Sequence, residues 1–360
     1  SVILSDTDAD NLLAASDTVT ITATFNEAMT ATPTISITGV VTNVAMLGGT
    51  ASFTTSDITT SNGGGHSVFA ADMDGDGDMD IVSTESINNK IAWYENNGAS
   101  DPSWTAANIA TIAGGGTSVY VADMDGDGDM DIVSASSNDD TIAWYENNGA
   151  ADPSWTKAVI ATSAAAARSV FAADMDGDGD MDILSASSGD DTIAWYENNG
   201  AADPSWTAAD IATDKDRAYS VFAADMDGDG DMDILSASEG DDTIAWYENN
   251  GAADPSWTAA DITTSADGTR SVFAADIDGD GDMDITSASA GADNTIAWYE
   301  NNGAADPSWT AADIATNKIN AQSVFAADID GDGDMDILSA SYNDDTLSLI
   351  HISEPTRRKH

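Results

Sequence analysis

The chain contains no cysteine, which excludes a disulfide framework and any thiolate-held metal. Basic residues are scarce. Lys and Arg number 10 against 64 Asp and Glu, a formal net charge of −54. Phosphate backbones and anionic headgroups are bound through Lys and Arg, so nucleic acid and anionic membranes are poor partners and cations are good ones. No run of about 18 apolar residues occurs, so no membrane insertion is expected. No signal peptide is visible, and residue 1 reads as the edge of a fragment. Histidine is limited to 3 residues, and only His66 lies before residue 347. With no Ser-His-Asp motif and no blade departing from the repeat as a catalytic site would, the chain is read as not an enzyme.

What the chain has in excess is aspartate, and it is concentrated. The string Asp-x-Asp-Gly-Asp-Gly-Asp-Met-Asp occurs six times, starting at Asp72, Asp123, Asp174, Asp225, Asp276 and Asp328. The starts are 51, 51, 51, 51 and 52 residues apart. Five Asp in each of six loops are 30 of the 64 acidic residues. A uniformly acidic, halophile-like surface would not gather charge in this way. All 10 Trp fall in the same register, two per repeat, as with Trp195 and Trp206. The repeat is therefore a structural unit.

Each repeat holds four strand candidates. In the third copy they span 169–174, 181–187, 192–198 and 206–213, rich in Val, Ile, Phe, Trp, Tyr and Thr. The third candidate, Ile193-Ala194-Trp195-Tyr196, is apolar on both faces, as in a sheet covered on both sides. Four-stranded units of this length describe the blades of an all-β β-propeller, with about six present and seven open as the native number. The segment 53–60 aligns with 257–264 and reads as a lone fourth strand able to close the ring on the last blade. The paired Trp are read as inter-blade packing more than as sugar platforms. Residues 1–51 differ: they alternate over 18–25 and 34–37 and resemble half of a bacterial Ig-like domain. The propeller is assigned to 52–346. From Leu347 the repeat pattern stops, and 347–360 resembles a translated sequencing-library adapter, a non-native tail.

The loop chemistry points to a hard cation. Calcium takes six to eight oxygens from carboxylates and carbonyls. Alternating Asp brings three carboxylates inward as the chain curls, Gly at position 6 permits the turn, position 7 offers its backbone carbonyl, and the ninth residue closes the shell. An EF-hand is disfavoured because position 12 of the third copy is Ser185 and the flanks are strand-like. Magnesium, which keeps more of its waters, is disfavoured too. The competing reading is a solvated acidic turn, which six copies in register make a poor account. The candidate metal residues are Asp72, Asp74, Asp76, Asp78 and Asp80; Asp123, Asp125, Asp127, Asp129 and Asp131; Asp174, Asp176, Asp178, Asp180 and Asp182; Asp225, Asp227, Asp229, Asp231 and Asp233; Asp276, Asp278, Asp280, Asp282 and Asp284; and Asp328, Asp330, Asp332, Asp334 and Asp336. Up to six Ca2+ ions are expected.

These repeats resemble the FG-GAP or VCBS-type repeats of bacterial surface proteins, similar in design to the integrin α-chain propeller. The resemblance covers about residues 52–346. It implies calcium in the loop between the first and second strands of each blade, held by Asp72, Asp74, Asp76 and Asp80 in the first copy and by the same positions later. The Trp-Tyr-Glu-Asn-Asn-Gly segment departs from the integrin pattern, so an integrin-like ligand is not implied.

Two connections vary between copies. One leads from the fourth strand to the next blade (61–66, 112–117, 163–168, 214–219, 265–270 and 317–322), and the other joins the second strand to the third, as in 85–90. In an up-and-down blade both leave from the face opposite the Asp loops. Six of the seven basic residues before 347 lie there: Lys90, Arg168, Lys215, Arg217, Arg270 and Lys318. With His66 and Tyr219 they form a candidate ligand face. Free drift after duplication would leave the same variation. The functional expectation is a non-catalytic, calcium-stabilised adhesion or recognition module, extracellular or on a cell surface, that binds a polysaccharide or a surface protein. The alternatives are a propeller of a polysaccharide-degrading enzyme such as a lyase, and a plain spacer.

Overall fold

The computed structural model describes residues 2–5, 20–23, 57–60, 63–111, 114–292 and 294–351. The chain divides into two compact units, 1–54 and 55–360. In the first, Val2–Ser5 pairs antiparallel with Thr20–Ala23. The expected strand at 34–37, and most of what the Ig-like reading rested on, lie outside the described residues.

The second unit is an all-β propeller of six blades, with no helix among its described residues. Each of the first five blades is a four-stranded antiparallel meander. The third blade has strands Ala167–Ala173, Asp182–Ser187, Thr192–Asn198 and Trp206–Ala212, within a few residues of the candidates read from periodicity. The middle strands are buried on both faces, as their apolar runs require. The sixth blade has three strands, Ala321–Ala327, Asp336–Ser341 and Thr346–Ile350.

Of the lone strand expected over 53–60, only 57–60 is described, and it joins no sheet. The start of the tail is part of the sixth blade. Thr346–Ile350 pairs with the second strand of its blade, Leu347 opposite Ala340 and Leu349 opposite Leu338. A segment alternating Leu with Ser can satisfy the open backbone edge of that strand whatever its origin. Residues 352–360 lie outside the described part.

The core is a series of blade junctions. At the first, Ala71, Met73, Val82, Ile91 and Trp93 of one blade meet Val119, Val121, Ile132, Ala143 and Tyr145 of the next. The same ten positions recur at the later junctions with small changes. The Trp residues act here as expected: Trp144 packs edge-on against Trp206 of the next blade at 6.3 Å, and Trp195 against Trp257 at 6.2 Å. Phe69, Tyr120, Phe171, Phe222, Phe273 and Phe325 form a continuous ladder along the first strands, with ring centroids 4.6 to 4.9 Å apart.

Candidate metal loops and the opposite loop face

Each Asp loop connects the first strand of a blade to the second, and its shape follows from glycine. Gly177 and Gly179 have φ of 74° and 99°, and a Cβ on either would meet nothing within 4 Å. It is the left-handed backbone that requires glycine there, not space. The curl lets Asp174 accept from the amides of Gly177 through Oδ1 (2.8 Å) and of Gly179 through Oδ2 (3.0 Å). Asp176 accepts from Asp178 N, and Asp178 from Asp180 N. Carboxylates are thereby drawn inward. In the second, third and fourth loops the carboxylates of positions 1, 3 and 5 converge, each offering an oxygen within 4.8 Å of the others, as with Asp174, Asp176 and Asp178. In the first loop the converging set is Asp72, Asp74 and Asp80.

Position 7 behaves differently. The carboxylate of Asp180 lies against the third turn, where a Cβ added to Gly200 would sit 2.0 Å from its Oδ2. The same holds for Asp78, Asp129, Asp231 and Asp282 against Gly98, Gly149, Gly251 and Gly303. This side chain is not part of the carboxylate cluster, which leaves position 7 the backbone carbonyl expected of it. The unvarying Asn-Asn-Gly turn is thereby explained: its Gly has φ of 64° in the third copy and touches the Asp loop.

Position 9 is the most buried acid of the loop. Asp182 accepts from Asn198 N at 2.7 Å and from Met175 N at 3.1 Å. In the first blade Trp93 Nε1 also donates to Asp80, at 3.0 Å. This residue ties the loop to the third strand, a role not legible in the loop motif. Burial raises its pKa to about 7 at Asp131 and Asp182, and to about 6 at Asp233 and Asp284. Burial, with the charge of neighbouring Asp, also raises the position 3 carboxyls of Asp74, Asp125, Asp176, Asp227 and Asp278.

The donor set fits a hard cation. It is all oxygen, it suffers mutual repulsion, and in the fifth loop Asp276 Oδ1 is buried without a hydrogen-bond partner. The sixth loop differs, because His351 of the tail lies 2.8 Å from Asp336 Oδ1 and 3.7 Å from Asp330 Oδ2.

The opposite face carries both variable connections, joined to one another. Gly189 N donates to Ala165 O at 2.8 Å and Ser188 N to Ala166 O at 3.2 Å. Each connection is also tied to the blade before it. Asn89, Asp140, Asp191, Asp242 and Asn294, all at positive φ, accept through Oδ1 from the backbone of Gly115, Ala166, Arg217, Gly268 and Asn320 at 2.8 to 2.9 Å. The scaffold is made by backbone and Asx groups, so the remaining side chains are free to vary.

The candidate ligand-face residues fall into groups. His66, Arg168, Tyr219 and Arg270 occupy the same position of the first strand in the first, third, fourth and fifth blades, where the second blade has Thr117. Arg168 and Arg270 lie over the Tyr219 ring, at 5.3 and 5.4 Å from its centroid. Glu239, which the sequence reading did not single out, pairs with both Arg217 and Arg270. Lys215 pairs with Asp261 at 3.1 Å, and Lys318 donates to Ser348 in the tail strand at 2.7 Å. The basic charge of this face is thus answered in part from within, by Glu239 and Asp261.

One blade does depart from the repeat. Glu85 replaces the Ser of the later copies and is buried. It pairs with Lys90 at 2.7 Å and accepts from Asn88 and Tyr94. Burial alone would raise its pKa, but these bonds and one from Gly63 N hold it below the usual range.

FG-GAP-like repeats match residues 5–83, 72–134, 123–185, 174–236, 225–287 and 286–339. The chain belongs to the FG-GAP-like repeat family. No curated protein matches this FG-GAP chain. Among solved structures it is similar to an Agrocybe aegerita lectin specific for non-reducing terminal N-acetylglucosamine, at 22% identity and a TM-score of 0.53 over 76% of this chain and 73% of the lectin. It is similar to BBS1N, solved in complex with ARL6DN, at 11% identity and a TM-score of 0.52 over 83% of this chain and 85% of that one. It also matches the V. cholerae biofilm matrix protein Bap1 at 14% identity and a TM-score of 0.42, over 76% and 66%. At these identities the likeness is one of fold.

Proposed function

We propose that this FG-GAP propeller is a non-catalytic recognition module of a secreted or surface protein. Calcium in the Asp loops stabilises the blades, and the opposite loop face binds a polyhydroxylated partner such as a polysaccharide. The observation that carries this reading is the separation of the two faces. The Asp loops and the turns touching them do not vary, while the other face varies in side chain on a fixed hydrogen-bonded scaffold. That is how binding surfaces are built on rigid folds. The similar lectin binds a sugar, which makes carbohydrate the first class to test. Because Glu239 offsets half the charge of Arg217 and Arg270, neutral sugars as well as acidic ones suit this face. In the metal role, positions 1, 3 and 5 supply the carboxylates, position 7 a carbonyl, and position 9 links the site to the core.

The experiment is a glycan array probed in calcium and in chelator, with Tyr219→Ala as the face variant. Binding that is lost in Tyr219→Ala while the melting curve is kept supports the reading. A folded, calcium-loaded protein that binds no glycan refutes the carbohydrate assignment.

A further inference from the structure

Each of the first five blades carries an Asn-Gly pair in the turn between its third and fourth strands: Asn97-Gly98, Asn148-Gly149, Asn199-Gly200, Asn250-Gly251 and Asn302-Gly303. Both residues of every pair are exposed. Asn-Gly is open to succinimide formation, because glycine has no side chain to keep its amide nitrogen from the carboxamide before it. In that reaction the glycine nitrogen attacks Cγ of the asparagine. An N–Cγ bond forms, the Cγ–Nδ2 bond breaks, and ammonia leaves with the proton taken from the glycine amide. Water then opens the ring at either carbonyl. The product is aspartate, or isoaspartate with the backbone running through its side-chain carbon.

The fold treats the two reacting groups in opposite ways. The carboxamide oxygen is ready for the reaction. Asn97, Asn148, Asn199, Asn250 and Asn302 each accept through Oδ1 from the amide of a serine six residues on, at 2.9 to 3.0 Å. A donor so placed stabilises the negative charge that gathers on this oxygen as the ring closes. The nucleophile is held back. Gly98, Gly149, Gly200, Gly251 and Gly303 each donate N–H to Oδ1 of the Asn before the pair, which is Asn96, Asn147, Asn198, Asn249 or Asn301, at 3.1 to 3.2 Å. The amide must lose this proton to attack. A carbonyl oxygen is too weak a base to take it, and the anion left behind would face the oxygen's lone pairs. The position 7 carboxylate of the Asp loop lies against the same glycine, and its charge also opposes that anion.

We infer that these five turns are latent deamidation sites, each kept closed by the Asn that precedes its Asn-Gly pair. Asn96, Asn147, Asn198, Asn249 and Asn301 protect the backbone of their turns by holding the glycine proton. Failure of one turn is local. An isoaspartyl link lengthens the backbone at a glycine of positive φ that touches an Asp loop. It therefore displaces the position 7 residue of its own blade and of no other. Damage would enter the array blade by blade, as expected of repeats that contact only their neighbours.

The test is made in the first blade. There Asn96 Nδ2 donates to Met79 O of its own blade, whereas Asn147, Asn198, Asn249 and Asn301 each also bind the preceding blade. Full-length wild type, Asn96→Ala and Asn96→Asp are incubated at mildly alkaline pH. Deamidation is followed by peptide mass mapping and by hydroxylamine cleavage, which reports the succinimide. A synthetic peptide of residues 94–104 sets the unprotected rate. Every wild-type site is expected to react about tenfold or more slowly than the peptide. Asn96→Ala is expected to bring Asn97 to the peptide rate or beyond, with the other four sites unchanged as witnesses that the array is folded. Asn96→Asp keeps an Oδ1 acceptor and is expected to stay slow. Wild-type sites that react at the peptide rate overturn the inference. So does an Asn96→Ala chain in which Asn97 is unchanged, or in which all five sites quicken together. An Asn96→Asp chain as fast as Asn96→Ala overturns it too, since protection would then come from the stiffness of the turn and not from this hydrogen bond.

Discussion

Asn198 Nδ2 donates 2.8 Å to the main-chain carbonyl of Met124, which belongs to the Asp loop of the preceding blade. The same side chain reaches Met181 O in its own loop at 3.0 Å, and its backbone amide binds Asp182. One residue therefore couples two neighbouring Asp loops to the third strand of its own blade. The shape of the Asp loops and the packing of the blades are therefore not separate matters in this fold.

Replacing Asn198 by Ala leaves the carbonyl of Met124 buried without its partner. An unsatisfied buried group costs about 1–3 kcal/mol, and the loss falls on the junction between the second and third blades. We expect lower thermal stability and faster hydrogen exchange at that junction than at the others. Equal exchange across all junctions in the variant would show that the bond carries no such load.

Removing calcium from the protein should lower its melting temperature strongly. A ligand at a hundredfold excess over Kd adds about 2.7 kcal/mol per site, and several sites together rival the roughly 5–15 kcal/mol of an ordinary domain. Calorimetric titration of the chelated protein should find several sites, with the sixth altered by His351. Asp176→Asn with Asp178→Asn should remove one. Identical melts with calcium and with chelator, at fixed ionic strength, would reduce the loops to acidic turns.

Gly200→Ala should be more damaging than Gly→Ala at an ordinary surface turn. The residue has φ of 64°, and the new Cβ would lie 2.0 Å from Asp180 Oδ2. Strain at such a backbone is of order 1–3 kcal/mol, and displacing Asp180 disturbs the adjoining loop. We expect both a lower melting temperature and weaker calcium binding at one site. A melt shift with calcium titration unchanged would mean that the turn and the loop are independent.

Stability of the metal-free protein should fall as pH rises. Asp131 and Asp182 have folded-state pKa values of about 7, above their ordinary value of 3.8. Between those values the folded chain holds more protons than the unfolded one. The stability these groups contribute is full below the unfolded value and is lost as pH rises through about 7. In chelator the melting temperature should therefore be higher near pH ~5 than near pH ~8. With calcium the trend should reverse, because ligand carboxylates must be deprotonated to bind. A chelated protein that gains stability from pH ~5 to ~8 would contradict the burial of these carboxyls.

Charge reversal on the variable face should separate its arginines. Arg270 donates through Nε to Glu239 at 2.9 Å and through Nη1 to Asn320 at 2.7 Å. Arg168 donates through Nε only to Ser188, at 2.9 Å. Arg270→Glu should cost more thermal stability than Arg168→Glu, though less than the loss of a fully buried pair, because Arg270 is partly exposed. Equal melts for the two variants would show that the Glu239 pair is of no structural weight.

Much of this protein follows from its sequence alone. A 51-residue period with four apolar segments per copy sets the blade and its strands, because side-chain alternation and turn chemistry are local. The Asp-x-Asp-Gly-Asp-Gly string sets the curl of the loop and its converging carboxylates, for the same reason. Other features depend on partners distant in the chain. Whether an Arg is free or neutralised depends on Glu239, 22 residues from Arg217 and 31 from Arg270, which a neighbouring connection places beside them. That position 9 serves the core as well as the loop depends on Asn198, brought to Asp182 by strand pairing. That Val68 is exposed where Val119 and its later equivalents are buried is invisible in a repeat that reads alike in every copy. Exposure is a property of what packs on a surface, and only the assembled array decides which copies have a neighbour.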